Sequence, residues 1–243
     1  MLHVLTNRRA VTDELMDSPD VDEVAHLEAL DGLRRINQAS RAAMRMLQPI
    51  VRLARREKLN RISLLDVACG GGDVPISVAL GARQLGIQIS LTLLDRSLTA
   101  VRRASAAAEQ SGIDCRGVEA DVLGTLPPLK ADVVTNSLFL HHISEPDQVV
   151  GLLHGMCEMA EGMVVISDLR RSRLGLAVAW AGCRVLSRSR IVHHDGPASV
   201  RAAWTLQELA DFAGQAGMAG VGIRPCAPWR MLLIWEKPQG GTA

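Results

Sequence analysis

The stretch at residues 63–78 constrains the fold of this chain more than any other, because it places a glycine-rich turn between an apolar strand and a helix. Residues 64–67 form an apolar run of strand length, residues 68–72 are small, and residues 74–85 have helical character. A strand, a glycine turn and a helix begin a nucleotide-binding βαβ unit. Glycine lets the backbone approach a ligand closely, and the helix start offers unpaired N–H groups.

The spacing of the small residues separates this turn from a dinucleotide-binding turn. Ala68, Gly70 and Gly72 recur at every second position, whereas the dinucleotide fingerprint is G-x-G-x-x-G with the pyrophosphate at the helix N-terminus. Two carboxylates, Asp66 and Asp73, flank the turn. Carboxylates repel a pyrophosphate but suit a cation, so the turn favours a positively charged ligand.

From residue 62 the hydrophobic pattern alternates between strands and helices. We predict strands at 62–67, 87–95, 114–119, 131–136 and 162–168, and helices at 74–85, 98–111 and 145–160. The alternation predicts a doubly wound parallel sheet with right-handed crossovers. A helix at 206–216, begun by a capping box of Thr205 and Glu208, and strands at 221–226 and 230–236 follow. The predicted fold is therefore α/β, a Rossmann-like seven-stranded sheet that is mostly parallel with one antiparallel strand.

Two segments stand outside this alternation. Residues 1–59 contain no convincing strand but carry two amphipathic helical patterns. They predict a helical N-terminal arm, in which Pro49 marks a candidate break or kink. Residues 170–203 contain an apolar helix at 174–186 and a turn-like sequence at 193–197, and we expect a lid-like insertion there. The remaining domain spans residues 60–243.

Composition excludes several functional classes. The net charge of +1 gives no electrostatic case for binding nucleic acid. The five cysteines are scattered and form no C-x-x-C pair, so neither a metal site nor a disulfide framework is expected, and free thiols fit a reducing cytoplasm. The first ten residues are polar, and no apolar run reaches the length of a membrane span. We therefore expect a cytoplasmic protein. We also expect it to be a monomer or a homodimer.

Polar residues follow the predicted strands at the edge where an open α/β sheet binds its ligands. These are Asp66 and Asp73 after the first strand, Asp95 after the second, Asp121 after the third, Asn136 to His142 after the fourth and Asp168 after the fifth. Asp95 lies about 25 residues beyond the glycine turn, a position where an acid can bind both ribose hydroxyls. The sequence therefore predicts a nucleoside site at this edge.

These motifs together resemble those of the class I S-adenosylmethionine-dependent methyltransferases. Residues 65–73, Leu-Asp-Val-Ala-Cys-Gly-Gly-Gly-Asp, resemble motif I, and the variant with Ala68 and Asp73 is similar to the ubiquinone/menaquinone-type small-molecule branch. Asp95 matches the acid of motif II, and Asp121 with Val122 matches the adenine-side pair. The resemblance covers residues 60–170 together with the closing helix and strands.

The resemblance implies that S-adenosyl-L-methionine is the cofactor. Asp66 and the backbone around Ala68 would hold its ammonium group, Gly70 and Gly72 would lie against its methionine and ribose parts, and Asp95 would bind the ribose hydroxyls. The other residues expected at the cofactor are Cys69, Asp73, Arg96, Asp121, Val122, Asn136, Ser137 and His141.

Several of these residues also have a structural interpretation. Asp73 can cap the following helix, Asp66 can be a turn acid, and Asp121 can form an Asx turn. Cys69 suits a small turn position better than a nucleophile, and Asp168 can simply cap its strand.

Methyl transfer to oxygen can require a base, because the acceptor hydroxyl must lose its proton. His141, His142, His193 and His194 are the candidates, since imidazole titrates near neutral pH. His141 follows the fourth strand and lies closest to the expected methyl group, although it can instead shape the cofactor pocket. The pair His193 and His194 can equally be part of a polar loop.

The acceptor is expected to be a hydrophobic small molecule such as a phenol, quinol or polyketide. Apolar residues of the insertion and of the arm would form a lid over its pocket. No sequence feature separates methylation of oxygen from methylation of carbon. Two alternatives stay open: an inactive methyltransferase-fold scaffold, and a nicotinamide-dependent oxidoreductase, which the turn spacing and the absence of Tyr-x-x-x-Lys disfavour.

Overall fold

A seven-stranded sheet organises the chain in the computed structural model, which describes residues 9–12, 14–17, 22–124, 126–227 and 229–238. The strands are β1 Arg61–Val67, β2 Gln88–Asp95, β3 Cys115–Glu119, β4 Ala131–Ser137, β5 Ala160–Leu169, β6 Gly222–Cys226 and β7 Arg230–Glu236. Their order is β3-β2-β1-β4-β5-β7-β6, and β7 runs antiparallel to both of its neighbours. The predicted mixed sheet with one antiparallel strand is confirmed.

Helices pack on both faces of this sheet. They are α1 Glu23–Ala39, α2 Ala42–Arg56, α3 Asp73–Gln84, α4 Leu98–Gln110, α5 Pro146–Met159, α6 Arg173–Leu186, α7 Arg190–Ala202 and α8 Leu206–Gln215. In the described part of the chain, none of them has the length and apolar character needed to cross a membrane.

The central strand β1 shows how the core is divided. Leu64 faces the cluster beneath α2, α3 and α4, whereas Leu65 faces the cluster beneath α5 and α8. Successive side chains of a strand point to opposite faces, so a strand covered on both sides must be apolar at both. Both leucines are fully buried, which explains why this strand has an apolar run rather than an alternating pattern.

The arm and the insertion share a third apolar cluster. Ala29 and Ile36 of α1 pack with Ala179 and Cys183 of α6 and with Val192 of α7. These helices form a layer beside the carboxyl ends of the strands, where α7 contacts the short 3-10 helix Leu140–His142.

Two local expectations differ from the structure. Helix α2 runs through Pro49, so the expected break is absent, whereas the alternative of a kink there stays a prediction. The turn-like residues 193–197 instead lie inside α7, with Pro197 in the helix. Most of α7 is buried, and its residues Ile191, Val192 and Val200 pack in the third apolar cluster. This tertiary packing outweighs the local preference of Gly-Pro for a turn.

Candidate functional site

The glycine turn after β1 has the backbone geometry that its small residues permit. Ala68, Gly70 and Gly72 all have positive φ, at 55°, 51° and 76°. A Cβ on Gly72 would lie 2.9 Å from the Cβ of Ala104, so α4 also requires glycine there. A Cβ on Gly70 would meet nothing within 4 Å, which leaves the outer side of the turn open to a ligand.

Asp95 at the end of β2 braces this turn. One carboxylate oxygen accepts the N–H of Gly70 at 2.9 Å, and the other accepts the N–H of Ser97 at 2.9 Å. A carboxylate has about four acceptor positions, so Asp95 retains capacity for hydroxyl donors of a ligand. The structure therefore brings the predicted ribose-binding acid against the predicted glycine turn.

Asp66 lies beneath the turn with only 1% of its surface exposed. Thr135 Oγ1 donates a hydrogen bond of 2.5 Å to its carboxylate. Burial raises the pKa of Asp66, the hydrogen bond of Thr135 lowers it and the charge of Asp95 raises it, and the net result is a pKa of about 7. A nearby cation would favour the ionised form of this carboxyl group.

Asn136 and Ser137 at the end of β4 have buried polar atoms that a cofactor could pair with. The Asn136 side chain donates to the carbonyl of Val67 at 2.7 Å. Its Oδ1 atom and Ser137 Oγ are buried, and neither has a hydrogen-bond partner among the described residues. Buried polar atoms without partners are costly, so a polar ligand above them would be favoured. An ammonium group is a donor of the required kind.

The remaining residues predicted at the cofactor occupy the same edge. Val122 is buried in the core, whereas Arg96 and Asp121 are exposed. Asp121 accepts the N–H of Leu123 at 3.0 Å, which is the Asx turn that its structural interpretation describes. Asp73 is the first residue of α3.

Cys69 is buried within the turn, and this burial raises the pKa of its thiol well above the usual range, with Asp66 and Asp95 contributing. A thiol of this kind is a poor nucleophile. The structure therefore agrees with the small turn position expected for Cys69.

His141 and Asp168 form a buried, hydrogen-bonded pair of titratable groups at this edge. His141 follows β4, Asp168 lies near the end of β5, and their Nδ1 and Oδ1 atoms are 2.7 Å apart in a buried environment. Asp168 also accepts the N–H groups of Phe139, Leu140 and Leu169. These bonds hold the carboxylate in place, so Asp168 is more than a strand cap.

The charges of this pair shift both pKa values. Burial raises the pKa of Asp168, but His141 and the backbone donors outweigh it and the pKa is lowered. Burial lowers the pKa of His141, but Asp168, with a contribution from Glu14, outweighs it and the pKa is raised. With Asp168 ionised, Nδ1 carries the proton and the lone pair lies on Nε2.

Glu14 reaches this pair from the N-terminal segment, and sequence reasoning missed it. Its Oε1 atom lies 3.9 Å from His141 Nε2, and Ser199 of α7 donates to it. No motif surrounds Glu14, and it is separated from Ser199 by 185 positions. Only the fold brings these groups together.

Glu14 belongs to a segment that we call the strap, residues 9–12 and 14–17. Asp195 of α7 accepts the N–H groups of Leu15 and Met16 at 2.9 and 3.0 Å. The Arg9 guanidinium stacks 3.6 Å from the ring centre of Trp204. It also donates to the backbone carbonyls of Ala202, His141, Ile143 and Ser144. The strap is therefore anchored at both ends beside His141.

His142 lies next to His141, with the ring centres 4.3 Å apart. His142 is exposed, yet loss of water around one side of the ring and, to a smaller extent, the charge of His141 lower its pKa to about 4. Donor atoms of Glu14, His141 and His142 lie within 4.8 Å of one another, a spacing that a metal ion could bridge. The expectation that this protein binds no metal stays a prediction.

The histidines of the insertion, His193 and His194, form hydrogen bonds with residues outside this cluster. The ring of His193 bonds to the carbonyl of Ser187 at 2.8 Å, and His194 Nδ1 bonds to Asp195 at 2.9 Å. Both lie on α7, and His194 is half exposed. A catalytic role for His194 stays a prediction.

The apolar residues of α6 do not all face inward. Leu174, Trp180 and Val185 are 69%, 55% and 82% exposed, and Met44 of the arm is 54% exposed. Ile36 and Met46 are buried. Ile36 packs with α6 and α7, whereas Met46 packs in the core beneath α2. The apolar lid over an acceptor pocket stays a prediction.

Comparison with known proteins identifies the domain. A methyltransferase domain family matches residues 59–195, which is more than half of the chain. The chain belongs to this family. The resemblance seen in the glycine turn is thereby confirmed.

Curated relatives of this methyltransferase-domain protein are named ubiquinone biosynthesis O-methyltransferase. The protein from Bordetella bronchiseptica is 32% identical over 164 residues, covering 66% of this chain and 64% of that protein. The one from Methylococcus capsulatus is 29% identical over 202 residues, covering 79% and 78%. The chain spans only 52% of a further relative, from Leptothrix cholodnii, at 29% identity over 126 residues.

Solved structures share the fold at low identity. The plantazolicin methyltransferase BpumL, determined with a desmethyl analogue and SAH, superposes with a TM-score of 0.63 at 15% identity, covering 91% of each chain. The S-adenosylmethionine-dependent methyltransferase SibL gives a TM-score of 0.62 at 19% identity, covering 95% of this chain and 64% of that one. At these identities the likeness concerns the fold alone.

Proposed function

We propose that this protein is an S-adenosylmethionine-dependent O-methyltransferase whose acceptor is a phenol or quinol, and that His141 takes the proton of the acceptor hydroxyl. The buried His141–Asp168 pair, at the carboxyl edge of the sheet beside the glycine turn, is the observation that carries this proposal. The names of the curated relatives support an oxygen acceptor of quinol type.

The cofactor would be held by the residues around the turn after β1. Asp66, Asn136 and Ser137 offer a raised-pKa carboxyl and two buried polar oxygens to the ammonium end. Asp95 offers remaining acceptor positions to the ribose hydroxyls. When bound, the cofactor supplies a methyl group on a positively charged sulfur, which is already a strong electrophile.

His141 is suited to act as the base because Asp168 fixes both its tautomer and its orientation. Nδ1–H donates to the carboxylate, so Nε2 holds the lone pair that can accept a proton. The imidazolium that forms is stabilised by Asp168 and Glu14, whose charges raise the pKa of His141. Since a base must be deprotonated before it acts, the rate is expected to rise with pH through a value above 6.5, the ordinary value for histidine.

The proposal is tested by turnover of a panel of phenols and quinols with S-adenosylmethionine. His141→Gln is expected to lower kcat by about 10²–10⁴-fold with the affinity for the cofactor product SAH unchanged. Asp168→Asn is expected to move the acid limb of the pH profile to lower pH, because a negative charge that raises the pKa of His141 is removed. His194→Gln tests the other candidate base on α7, and His154→Gln on α5 serves as the matched histidine control.

The outcomes separate the remaining alternatives. No binding of S-adenosylmethionine or SAH would overturn the proposal, and binding without turnover would favour the scaffold alternative. Binding of NADH in place of the sulfur ligands would favour the oxidoreductase. Activity is expected to survive treatment with a chelator, since Nε2 of His141 cannot accept a proton and ligate a metal at the same time.

A further inference from the structure

Arg230 is a buried cation that the proposed chemistry leaves unused. It is the first residue of β7, pairs in register with Leu169 of β5, and has 1% of its surface exposed. Its Nη2 atom donates to Asn37 Oδ1 of α1 at 2.5 Å. Nε and Nη1 are buried, and neither has a hydrogen-bond partner among the described residues.

The charges around Arg230 do not neutralise it locally. Arg45 of α2 is close enough for its like charge to lower the pKa of Arg230, and Arg45 Nε is itself buried without a partner in the described part of the chain. Asp168 acts in the opposite sense, but both of its oxygens are engaged by His141 and by three backbone N–H groups. No ion pair of Arg230 with a carboxylate is present among the described residues.

The guanidinium stays charged despite this environment. Burial lowers the pKa of Arg230 to about 10, with Asp168 raising it and Arg45 lowering it. At neutral pH the side chain is therefore protonated, and a buried cation without a counter-ion is unfavourable. Arginine also has the planar set of donors that suits carboxylates.

Arg230 lies at the ligand-binding edge of the sheet, on the side away from the glycine turn. Because β7 is antiparallel to β5, its first residue lies at the same edge as the carboxyl ends of the parallel strands. Its charge reaches His141, whose pKa it lowers. It contacts the arm through Asn37 rather than the glycine turn, which lies beyond β5 and β4 in the sheet.

We propose that Arg230, together with Arg45 and Asn37, binds a carboxylate of the methyl acceptor, so that the substrate is a hydroxy-aryl acid rather than a neutral phenol. This inference rests on the proposed function and specifies its substrate class. The carboxylate supplies acceptors for the buried Nε and Nη1 donors and a counter-charge for the two guanidinium groups. The acceptor is thereby oriented with its acid toward the arm and a hydroxyl toward His141.

The binding of acid and ester probes to the SAH-saturated protein tests this proposal. We expect 3,4-dihydroxybenzoate to bind about tenfold or more tightly than its methyl ester, measured by calorimetry. Arg230→Gln is expected to abolish this preference without changing the affinity for SAH. Arg224→Gln, an exposed arginine on β6, is the control that removes the same charge elsewhere.

Asn37→Asp provides a second test that does not require loss of the arginine. The new carboxylate would stand beside Nη2 of Arg230 and act as an internal counter-ion. The variant is expected to melt at a higher temperature than the wild type without ligand, and to lose the preference for the acid. Arg230→Lys keeps the charge and is expected to retain a reduced preference.

Equal affinity of the wild-type protein for acid and ester would overturn the inference. A loss of SAH affinity in Arg230→Gln, with the preference for the acid intact, would also overturn the inference. Arg230 would then bind the carboxylate of the cofactor rather than that of the acceptor. Turnover of neutral phenols without any preference for acids would leave the proposed function standing and remove only this inference. Failure to bind SAH, in contrast, would remove the proposed function itself.

Discussion

Asp66 shows how burial alters a carboxyl group at the scale of a single residue. Its pKa is raised from 3.8 to about 7 in the folded protein, first by burial and then by the charge of Asp95. Between these two values the folded state binds more protons than the unfolded state. The free energy of unfolding therefore falls as pH rises through this range.

Asp66→Asn is expected to remove this dependence, because an amide does not ionise. The stability of the variant relative to the wild type should increase between about pH 4 and about pH 8, at about 1.4 kcal/mol for each unit of the pKa shift. Urea unfolding of the ligand-free proteins at several pH values measures this difference in the free energy of unfolding. Asp114→Asn, an exposed carboxylate paired with Arg61, is the control. An unchanged pH slope in Asp66→Asn would contradict the expectation.

Gly72 allows a test of the turn geometry with a neighbouring control. Gly72→Ala is expected to cost about 2 kcal/mol or more, because φ is +76° and the new Cβ would lie 2.9 Å from Ala104. Gly71→Ala, whose Cβ would meet nothing within 4 Å, should change stability little. Chemical denaturation of both variants measures the difference. Equal stability of the two would mean that the turn does not need the left-handed conformation at Gly72.

At the scale of elements, the strap depends on two hydrogen bonds to α7. Asp195→Ala removes the acceptor of the Leu15 and Met16 N–H groups. Loss of these two hydrogen bonds, at about 1 kcal/mol each, is expected to increase the open population of the strap about 30-fold. Cleavage by trypsin at Arg9 reports this opening, because the closed strap holds Arg9 against Trp204. Asp211→Ala on α8 is the control. No change in the cleavage rate would mean that Asp195 does not hold the strap.

Helix α7 also shows why some elements escape sequence analysis. Its residues 193–197 have turn chemistry, and the helix forms because its buried face meets α1 and α6. The capping box of α8 and the strand β7 were predicted correctly, since a local cap and a continuous apolar run depend only on neighbours in sequence.

For the whole molecule, we expect Asp95 to link cofactor binding to folding. SAH at a hundredfold excess over its Kd is expected to raise the free energy of unfolding by about 2.7 kcal/mol, and the melting temperature by roughly 5–10 °C for a chain of this length. Asp95→Ala should lose most of this increase at the same SAH concentration. Scanning calorimetry with and without SAH measures both. An undiminished shift in Asp95→Ala would place the ribose elsewhere.

The sequence by itself determined the alternation of strands and helices from β1 to β5, the glycine turn and the acids that follow β1, β2 and β3. These features are local, because hydrophobic periodicity, turns and strand ends each depend on residues that are close together in the sequence. They were sufficient to indicate the fold and a cationic nucleoside ligand.

Only the tertiary structure decided which distant groups meet. Glu14 reaches His141 because the strap is held by α7, and Arg230 reaches Asn37 across 193 positions because β7 inserts antiparallel beside β5. Neither contact has a sequence signature, because the two residues of each contact lie far apart in the sequence. Their meeting depends on tertiary packing rather than on neighbouring residues. The groups proposed to face the acceptor are of this kind, whereas the turn proposed to face the cofactor is local.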